Sequence, residues 1–163
     1  MIGGAVQSGG AMTIAAHAGD LAATGGINSG ATLDVTTGRD LALGATTSAV
    51  GDMTLTAARD LNTGSGLLIG DANGTLRAGR DIVGAGTQSF LQGVFDAAAQ
   101  RNAVSGGLVQ ARSVQLQGGN DASVNDVVSA TTFDLKALGN AGGGDAVVRG
   151  TACGRAPRPR LRR

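Results

Sequence analysis

The sequence predicts an all-β protein, a parallel β-helix (β-solenoid) of about seven coils of roughly 20 residues each. Three observations favour this fold. A phrase made of a small or basic residue, then Asp or Asn, then an apolar residue recurs at near-constant spacing. Apolar and polar residues alternate just before each phrase, which is typical of a strand with one buried face. Turn-forming Gly, Asn, Asp, Ser and Thr separate these stretches.

The recurring phrase is clearest at Gly19-Asp20-Leu21 and Arg59-Asp60-Leu61. Its central position recurs seven times, with successive spacings of 20, 20, 21, 21, 19 and 19 residues. Seven matches at this spacing indicate a structural repeat. The central residues are Asp20, Asp40, Asp60, Asp81, Asn102, Asp121 and Asn140.

Alternating apolar residues lie seven and five positions before the Asp or Asn. The first repeat is shifted by one residue, with Met12 and Ile14. A third apolar stretch, after the phrase, includes Ile27, Leu67 with Ile69, and Leu108. Each repeat is therefore predicted to hold two or three short strands, although residues 94–104 also have the composition of a local helical turn. The alternating pairs are Leu33/Val35, Met53/Leu55, Val114/Leu116 and Phe133/Leu135, with Gly74/Leu76 and Phe95/Ala97 as weaker copies.

Stacking follows from the length of the unit. About 20 residues with two or three strands cannot bury their own apolar face, so each strand pairs with its copy one coil away, about 4.8 Å along the axis. Leucine-rich repeats need more Leu, and propeller blades need about 40 residues. We expect a leading segment or partial coil at 1–10, the repeat array at 11–151 and a basic, disordered tail at 152–163.

Composition limits the chemistry. Trp, Tyr and Glu are absent, and the chain contains a single Cys and a single His, His17. An intrachain disulfide and sites built from several Cys or His are therefore excluded. Residues 1–150 carry eight basic residues against twelve Asp, a net charge of −4, whereas 155–163 hold five Arg. The sequence has no apolar run of 18 residues, so no membrane helix is predicted, and residues 1–20 do not resemble a signal peptide.

The Asp row has two interpretations. In the first, the carboxylates bind a row of metal ions or form an active site. In the second, each side chain stabilises a turn through local hydrogen bonds. We favour turns, because Asn replaces Asp twice and because a basic row one residue earlier offsets the stacked charge. No metal or other cofactor is expected. The basic row is Arg39, Arg59, Arg80 and Arg101.

Other candidate sites carry weaker signals. Asp34 and Asp52 form a pair for acid–base work, but nothing distinguishes them from other Asp residues. A calcium-repeat phrase occurs once, as Gly-Gly-Gly-Asp at 142–145, and out of register. The Thr54 and Thr56 pair is typical of ice-binding solenoids but does not recur at the repeat period. The Arg-rich tail lacks aromatic residues for stacking on bases, so no nucleic-acid partner is expected.

The phrases GRDLAL, AARDL, RAGRDI and MTLTAARDLNTGSGL resemble the shaft repeats of filamentous-haemagglutinin-like exoproteins and of contact-dependent growth-inhibition exoproteins. The resemblance covers about residues 11–150. It implies a right-handed β-helix, secretion to the bacterial cell surface, and a non-catalytic shaft that supports adhesion or toxin delivery. The implied partners are the rest of the parent exoprotein by end-to-end coil stacking, its outer-membrane two-partner secretion transporter, and host receptors or glycans.

Two alternatives to a passive shaft remain open at this point. One is a β-solenoid module that itself binds carbohydrate or protein. The other is a polysaccharide-degrading β-helix enzyme, which the absence of Glu and of aromatic sugar-binding residues other than Phe disfavours.

Overall fold

A computed structural model describes residues 1–143 and 146–148, and over these residues it contains strands and turns but no helix. All paired strands run parallel, and they join into one sheet that winds through about seven turns. The predicted parallel β-solenoid is therefore confirmed. Its strands are β1 (Val6–Ser8), β2 (Met12–Ala16), β3 (Leu21–Ala23), β4 (Ile27–Ser29), β5 (Leu33–Thr37), β6 (Leu41–Leu43), β7 (Thr47–Ala49), β8 (Met53–Ala57), β9 (Leu61–Asn62), β10 (Leu67–Gly70), β11 (Gly74–Ala78), β12 (Asp81–Gly84), β13 (Gln88–Leu91), β14 (Val94–Ala99), β15 (Asn102–Gly118), β16 (Asp121–Ala137), β17 (Ala141–Gly143) and β18 (Ala146–Val148).

Each complete coil supplies three strand segments, so the solenoid has three faces. Face 1 holds β3, β6, β9, β12, the starts of β15 and β16, and β17. Face 2 holds β1, β4, β7, β10, β13, the middles of β15 and β16, and β18. Face 3 holds β2, β5, β8, β11, β14 and the ends of β15 and β16.

The core lies inside the coil and is built by strict alternation. In β5 the buried residues are Leu33, Val35 and Thr37, while Asp34 points outward. The same positions of successive coils are paired in register, so inward side chains stack on their copies along the axis. The sequence pattern of two apolar positions before each Asp therefore correctly identifies the face 3 strands.

Side-chain volumes compensate between neighbouring coils. Gly74 pairs directly with Phe95 on face 3, and a methyl group at Gly74 would lie 2.6 Å from a terminal carbon of Leu91. The larger Phe95 and Leu91 thus occupy space that Gly74 leaves open. Close packing of this kind makes the inward position of β11 intolerant of added volume.

The one-residue shift of the first repeat is confirmed. Met12 pairs with Leu33, 21 positions later, whereas Leu21 pairs with Leu41, 20 positions later. The additional residue therefore lies in the turn between β2 and β3. His17, the single histidine, is exposed in this turn.

The helical alternative for residues 94–104 is wrong. β14 covers Val94–Ala99 and β15 begins at Asn102. Phe95, Ala97 and Ala99 are buried with strand alternation, and β14 pairs with both β11 and β15. Pairing on both sides in the stack outweighs the helix propensity of the three alanines.

The third apolar stretch forms face 2, but its inward residues differ from several that the sequence suggested. Ile27 is buried as expected, whereas Ile69 is 37% exposed and its neighbour Leu68 is the buried residue. Likewise Val109 is buried, and Leu108 is only partly buried. These strands contain consecutive apolar residues, so alternation alone does not define which one points inward.

The interior also contains hydroxyl groups that hydrogen-bond with one another. Thr63 and Thr87 are buried, and their hydroxyl oxygens lie 2.6 Å apart. Thr87 also donates to the carbonyl oxygen of Gly64 at 2.9 Å.

The described residues include no helix with the length and apolar character needed to cross a membrane.

Candidate functional site

The Asp/Asn row lies along the corner where each coil passes from face 3 to face 1, which we call the Asp corner. Asp20, Asp40 and Asp60 directly precede β3, β6 and β9, and Asp81 begins β12. Because coils stack in register, these residues lie above one another along one edge of the solenoid. The short turns that position them contain small residues. A Cβ on Gly38 would clash with the carbonyl oxygen of His17 in the coil below.

Each Asp accepts a backbone hydrogen bond from the next coil. The N–H groups of Asp40, Asp60 and Asp81 donate to Oδ1 of the preceding Asp at 3.1, 3.2 and 3.3 Å. Asn102 continues the row, with its N–H 3.1 Å from Oδ1 of Asp81. The sequence predicts local hydrogen bonds within each turn. The observed bonds instead join coils, because the stacked backbone brings an N–H group of the next coil within reach.

The Arg row connects the same coils a second time. Nε of Arg59 donates to Oδ1 of Asp40 at 2.8 Å, and its Nη2 donates to Oδ2 of the same carboxylate. Arg80 and Arg101 reach back one coil in the same two-bonded way, with Nε–Oδ1 distances of 2.7 and 2.9 Å to Asp60 and Asp81. We call each such bidentate pair a clasp.

The clasps alter the ionisation of both partners. The hydrogen bond from Arg59 lowers the pKa of Asp40, and that from Arg101 lowers the pKa of Asp81. Bonding to the carboxylates raises the pKa of Arg59, Arg80 and Arg101. These carboxylates therefore stay charged below the usual Asp range, whereas a general acid at neutral pH needs a raised pKa.

The row of clasps has limits within the described chain. At its start, the Arg position is occupied by Gly19, and Arg39 lies farther from Asp20, with its Nε at 3.5 Å from Oδ1. Beyond Arg101 the Arg position holds Asn120. Asn140 then donates to Asp121 through its N–H at 2.9 Å and its Nδ2 at 3.1 Å. Between the coils of Asp121 and Asn140, the backbone-to-side-chain link is thus kept without an ionic one.

A second row of side-chain links lies at the corner between faces 2 and 3, and the sequence did not single it out as a row. The N–H and Nδ2 of Asn73 donate to Oδ1 of Asp52 at 3.1 and 3.0 Å. In the next coil the N–H of Val94 donates to Oδ1 of Asn73 at 2.9 Å. The 21-residue interval between Asp52 and Asn73 is the signal that could have revealed it.

Asp34 and Asp52, the pair considered for acid–base work, hydrogen-bond to different neighbours. Asp34 projects outward from β5 and accepts from the hydroxyl of Thr36 at 3.2 Å, while Asp52 is bonded to Asn73. Within residues 1–143 and 146–148, no three His, Cys, Asp or Glu side chains are grouped so as to hold a metal ion. The calcium-type phrase at 142–145 and the Arg-rich tail extend beyond the described residues.

The outer surface of face 3 carries two more ion pairs, Arg77 with Asp96 and Lys136 with Asp134, and a shallow groove. Nη2 of Arg77 lies 2.5 Å from Oδ2 of Asp96, and its Nη1 donates to the Asp96 carbonyl at 3.0 Å. Beside Arg77 a groove of about 520 Å³ follows the Asp corner over four coils. Small residues such as Ala58 and Gly79 line it together with Gln100. On β8, Thr54 pairs in register with Asp34 and Thr75, and Thr56 pairs with Thr36 and Arg77. Asp34 and Arg77 therefore interrupt the two threonine columns.

At the centre of the Asp corner, Asp40, Asp60 and Asp81 thus join successive coils, and both oxygens of each carboxylate are engaged in hydrogen bonds. No protein-family model, no curated protein and no solved structure matches this chain.

Proposed function

We propose that this chain is a structural segment of the shaft of a bacterial cell-surface exoprotein, and that it acts as a non-catalytic spacer. Its role is mechanical, since it holds a distal part of the parent protein away from the cell in adhesion or toxin delivery. The filamentous-haemagglutinin-like repeat phrases suggest this role, and the solenoid geometry is compatible with it.

The observation that carries the proposal is the conversion of the most regular sequence feature into links between coils. Asp40, Asp60 and Asp81 each accept a backbone N–H and a bidentate Arg from the following coil. A row that binds substrate needs carboxylates that are open to a ligand. Here the carboxylates stabilise the stack of coils. A rod that holds a distal part of the protein at a fixed distance requires such stability.

The localisation and partners belong to the same proposal. A shaft of this class is secreted through an outer-membrane two-partner secretion transporter and continues into further coils of the parent exoprotein. A solenoid suits this route, because each newly exported coil can fold by pairing with the coil that precedes it. Contacts between neighbouring coils are sufficient for this folding.

A chimera tests the proposal. Residues 11–130 replace the same number of shaft coils in an exported haemagglutinin-like protein that carries a distal epitope tag. We expect the tag at the cell surface at the level of the parent. The matched control inserts residues 21–130, which starts half a coil later and breaks the strand register at the junction. Retention of the in-register chimera inside the cell would contradict a shaft role.

The second candidate is a module that binds carbohydrate, and the groove with Gln100 and Arg77 favours it, because amide and guanidinium groups hydrogen-bond sugar hydroxyls. A glycan array separates the two functions. A passive shaft gives no saturable signal, whereas a signal that Gln100→Ala abolishes would replace the spacer by the binding module. A polysaccharide depolymerisation assay on the same sample tests the enzyme alternative.

A further inference from the structure

The outer surface of face 2 changes character in the middle of the solenoid. In β10 and β13 the outward residues include Leu67, Ile69 and Phe90, and Leu108 follows in β15. Ile69 is 37% exposed, and the other three are partly exposed. The equivalent outward residues of the earlier coils are polar, such as Ser48, which pairs with Ile69. Four apolar side chains in three adjacent rows therefore form an apolar patch, which also contains the exposed Gln88 and Gln110.

Two unpaired charges border this patch at the corner between faces 2 and 3. Asp71 directly follows β10, and Arg112 follows the face 2 segment of β15. Gln92 occupies this corner in the coil between them. Both charged residues are exposed, and neither takes part in an ion pair with any residue that the structure describes. They lie two coils apart, about 10 Å along the axis.

We propose that face 2 is a docking surface for a second copy of this chain, which packs side by side in the antiparallel direction. The two-fold axis runs along β13, in the plane between the two faces. Under this symmetry a residue keeps its position along the strand direction, whereas the order of the coils along the solenoid axis is reversed. The Phe90 residues of both copies then face each other, and Asp71 of each copy faces Arg112 of the other.

The register of the patch matches this symmetry. Leu67 pairs with Gln88, and Ser89 with Val109, so Leu67, Gln88 and Leu108 occupy one column. The two-fold axis therefore places Leu67 of one copy against Leu108 of the other, on both sides of the axis. Leu67 thus meets Leu108, Phe90 meets its own copy and the acid meets the base, as an isologous interface requires, while Ile69 faces Gln110.

The flanking rows introduce no repulsion. One row farther from the axis, Ser48 faces Val128 of the second copy, and Thr46 faces Asp126. The clasps lie at the Asp corner, away from this interface. Five rows about 4.8 Å apart and strands of four residues give a flat footprint of about 300 Å² per copy. This area is below that of standard interfaces, so the dimer is weak.

The charges select the second copy and its direction. A parallel copy reverses positions along the strand, so Asp71 and Arg112 of one copy would lie on the opposite side of the patch from those of the other and would meet no partner charge. An unrelated apolar partner leaves both charges unmatched. The antiparallel copy satisfies the patch and both charges at once.

Sedimentation equilibrium of the full chain tests the proposal, at about 10–500 µM protein with a reducing agent that prevents Cys153 disulfides. We expect a weak monomer–dimer equilibrium. Asp71→Arg and Arg112→Asp should each raise the dissociation constant about tenfold, because two attractive contacts become repulsive. Asp34→Arg on face 3 is the matched control, and it should leave the dissociation constant unchanged.

Charge exchange then tests the geometry. The double variant D71R/R112D should regain the wild-type dissociation constant, and so should an equimolar mixture of the two single variants. End-to-end association through the strand edges of the first and last coils is insensitive to all of these changes. A strictly monomeric wild type over the whole range, or single variants that do not weaken the dimer, would overturn the proposal.

Discussion

The Asp side chain is suited to its corner because it offers two oxygens at a short distance from the backbone. Oδ1 of Asp60 accepts both the N–H of Asp81 and Nε of Arg80, and Oδ2 accepts the second bond of the guanidinium. An Asn can supply the first oxygen but carries no charge for the clasp. Bidentate guanidinium–carboxylate bonds are stronger than neutral ones and fix geometry as well. Consistent with this, Arg101 of the Asn102 coil still clasps Asp81, whereas the coil above the uncharged Asn102 holds Asn120 at the Arg position.

Asp81→Asn should make stability less dependent on pH. Because the pKa of Asp81 is lowered in the folded protein, its charge contributes stability that is complete above the unfolded-state pKa of about 3.9. That contribution is lost as the pH falls through the lower, folded-state pKa. Urea unfolding should therefore show a less stable variant at about pH 7 and a clearly smaller difference at about pH 2.

Asp126→Asn is the control for this experiment. Asp126 is exposed, and it forms no ion pair within the described part of the chain. Its removal should change the free energy of unfolding little at either pH. A D81N difference that persists unchanged in acid would show that the Asp81 charge does not link the coils.

At the scale of single strands, the sequence identifies face 3 better than face 2. Met53 and Leu55 alternate with threonines in β8, so the buried side is evident from the letters alone. In β10, three consecutive apolar residues leave both registers open. The choice is made by the partner strand, since pairing with Thr47 in β7 directs Leu68 inward. The register of a strand with no alternation is thus fixed by its neighbours and not by its own composition.

Leu68→Ala and Ile69→Ala should therefore have different effects. Leu68 is 2% exposed, and its truncation leaves a cavity in the core that costs about 2–5 kcal/mol of unfolding free energy. Ile69 lies on the outer surface, and its truncation should cost well under half as much. Chemical denaturation of dilute, monomeric samples measures both values. A larger loss at Ile69 would mean that β10 has the opposite register.

At the scale of the whole molecule, repeat spacing determines the architecture but not the direction of the contacts. The intervals of 19 to 21 residues place all seven Asp and Asn positions at one corner. They do not show whether Arg59 reaches Asp60 beside it or Asp40 one coil back. The structure selects Asp40, with Nε of Arg59 3.9 Å from Oδ2 of Asp60 and 2.8 Å from Oδ1 of Asp40. Coil stacking decides this, and stacking is a property of the assembled solenoid.

Removal of one complete coil should preserve the fold. Deletion of residues 41–60 joins Asp40 to Leu61, keeps all three faces in register and places Arg80 next to Asp40. The variant should unfold cooperatively and be less stable than the parent, since one coil–coil interface is lost. Deletion of 41–50, half a coil, should abolish cooperative unfolding. Circular dichroism during thermal unfolding distinguishes the two deletion variants. Equally cooperative transitions in both variants would contradict a stack of repeating coils.

The central claim is that sequence repeats stack at constant spacing, and distances between spin labels on face 3 test it most directly. Thr13, Thr75, Gln115 and Asp134 occupy one outward column, so labels at Thr13 and one of the others span three, five or six coils. With Cys153→Ser, paired cysteine variants allow electron–electron distance measurements. The account predicts separations that grow linearly by about 4.8 Å per coil, roughly 14, 24 and 29 Å between backbones. Distances that do not increase in this order, or broad distributions typical of an unfolded chain, would contradict it.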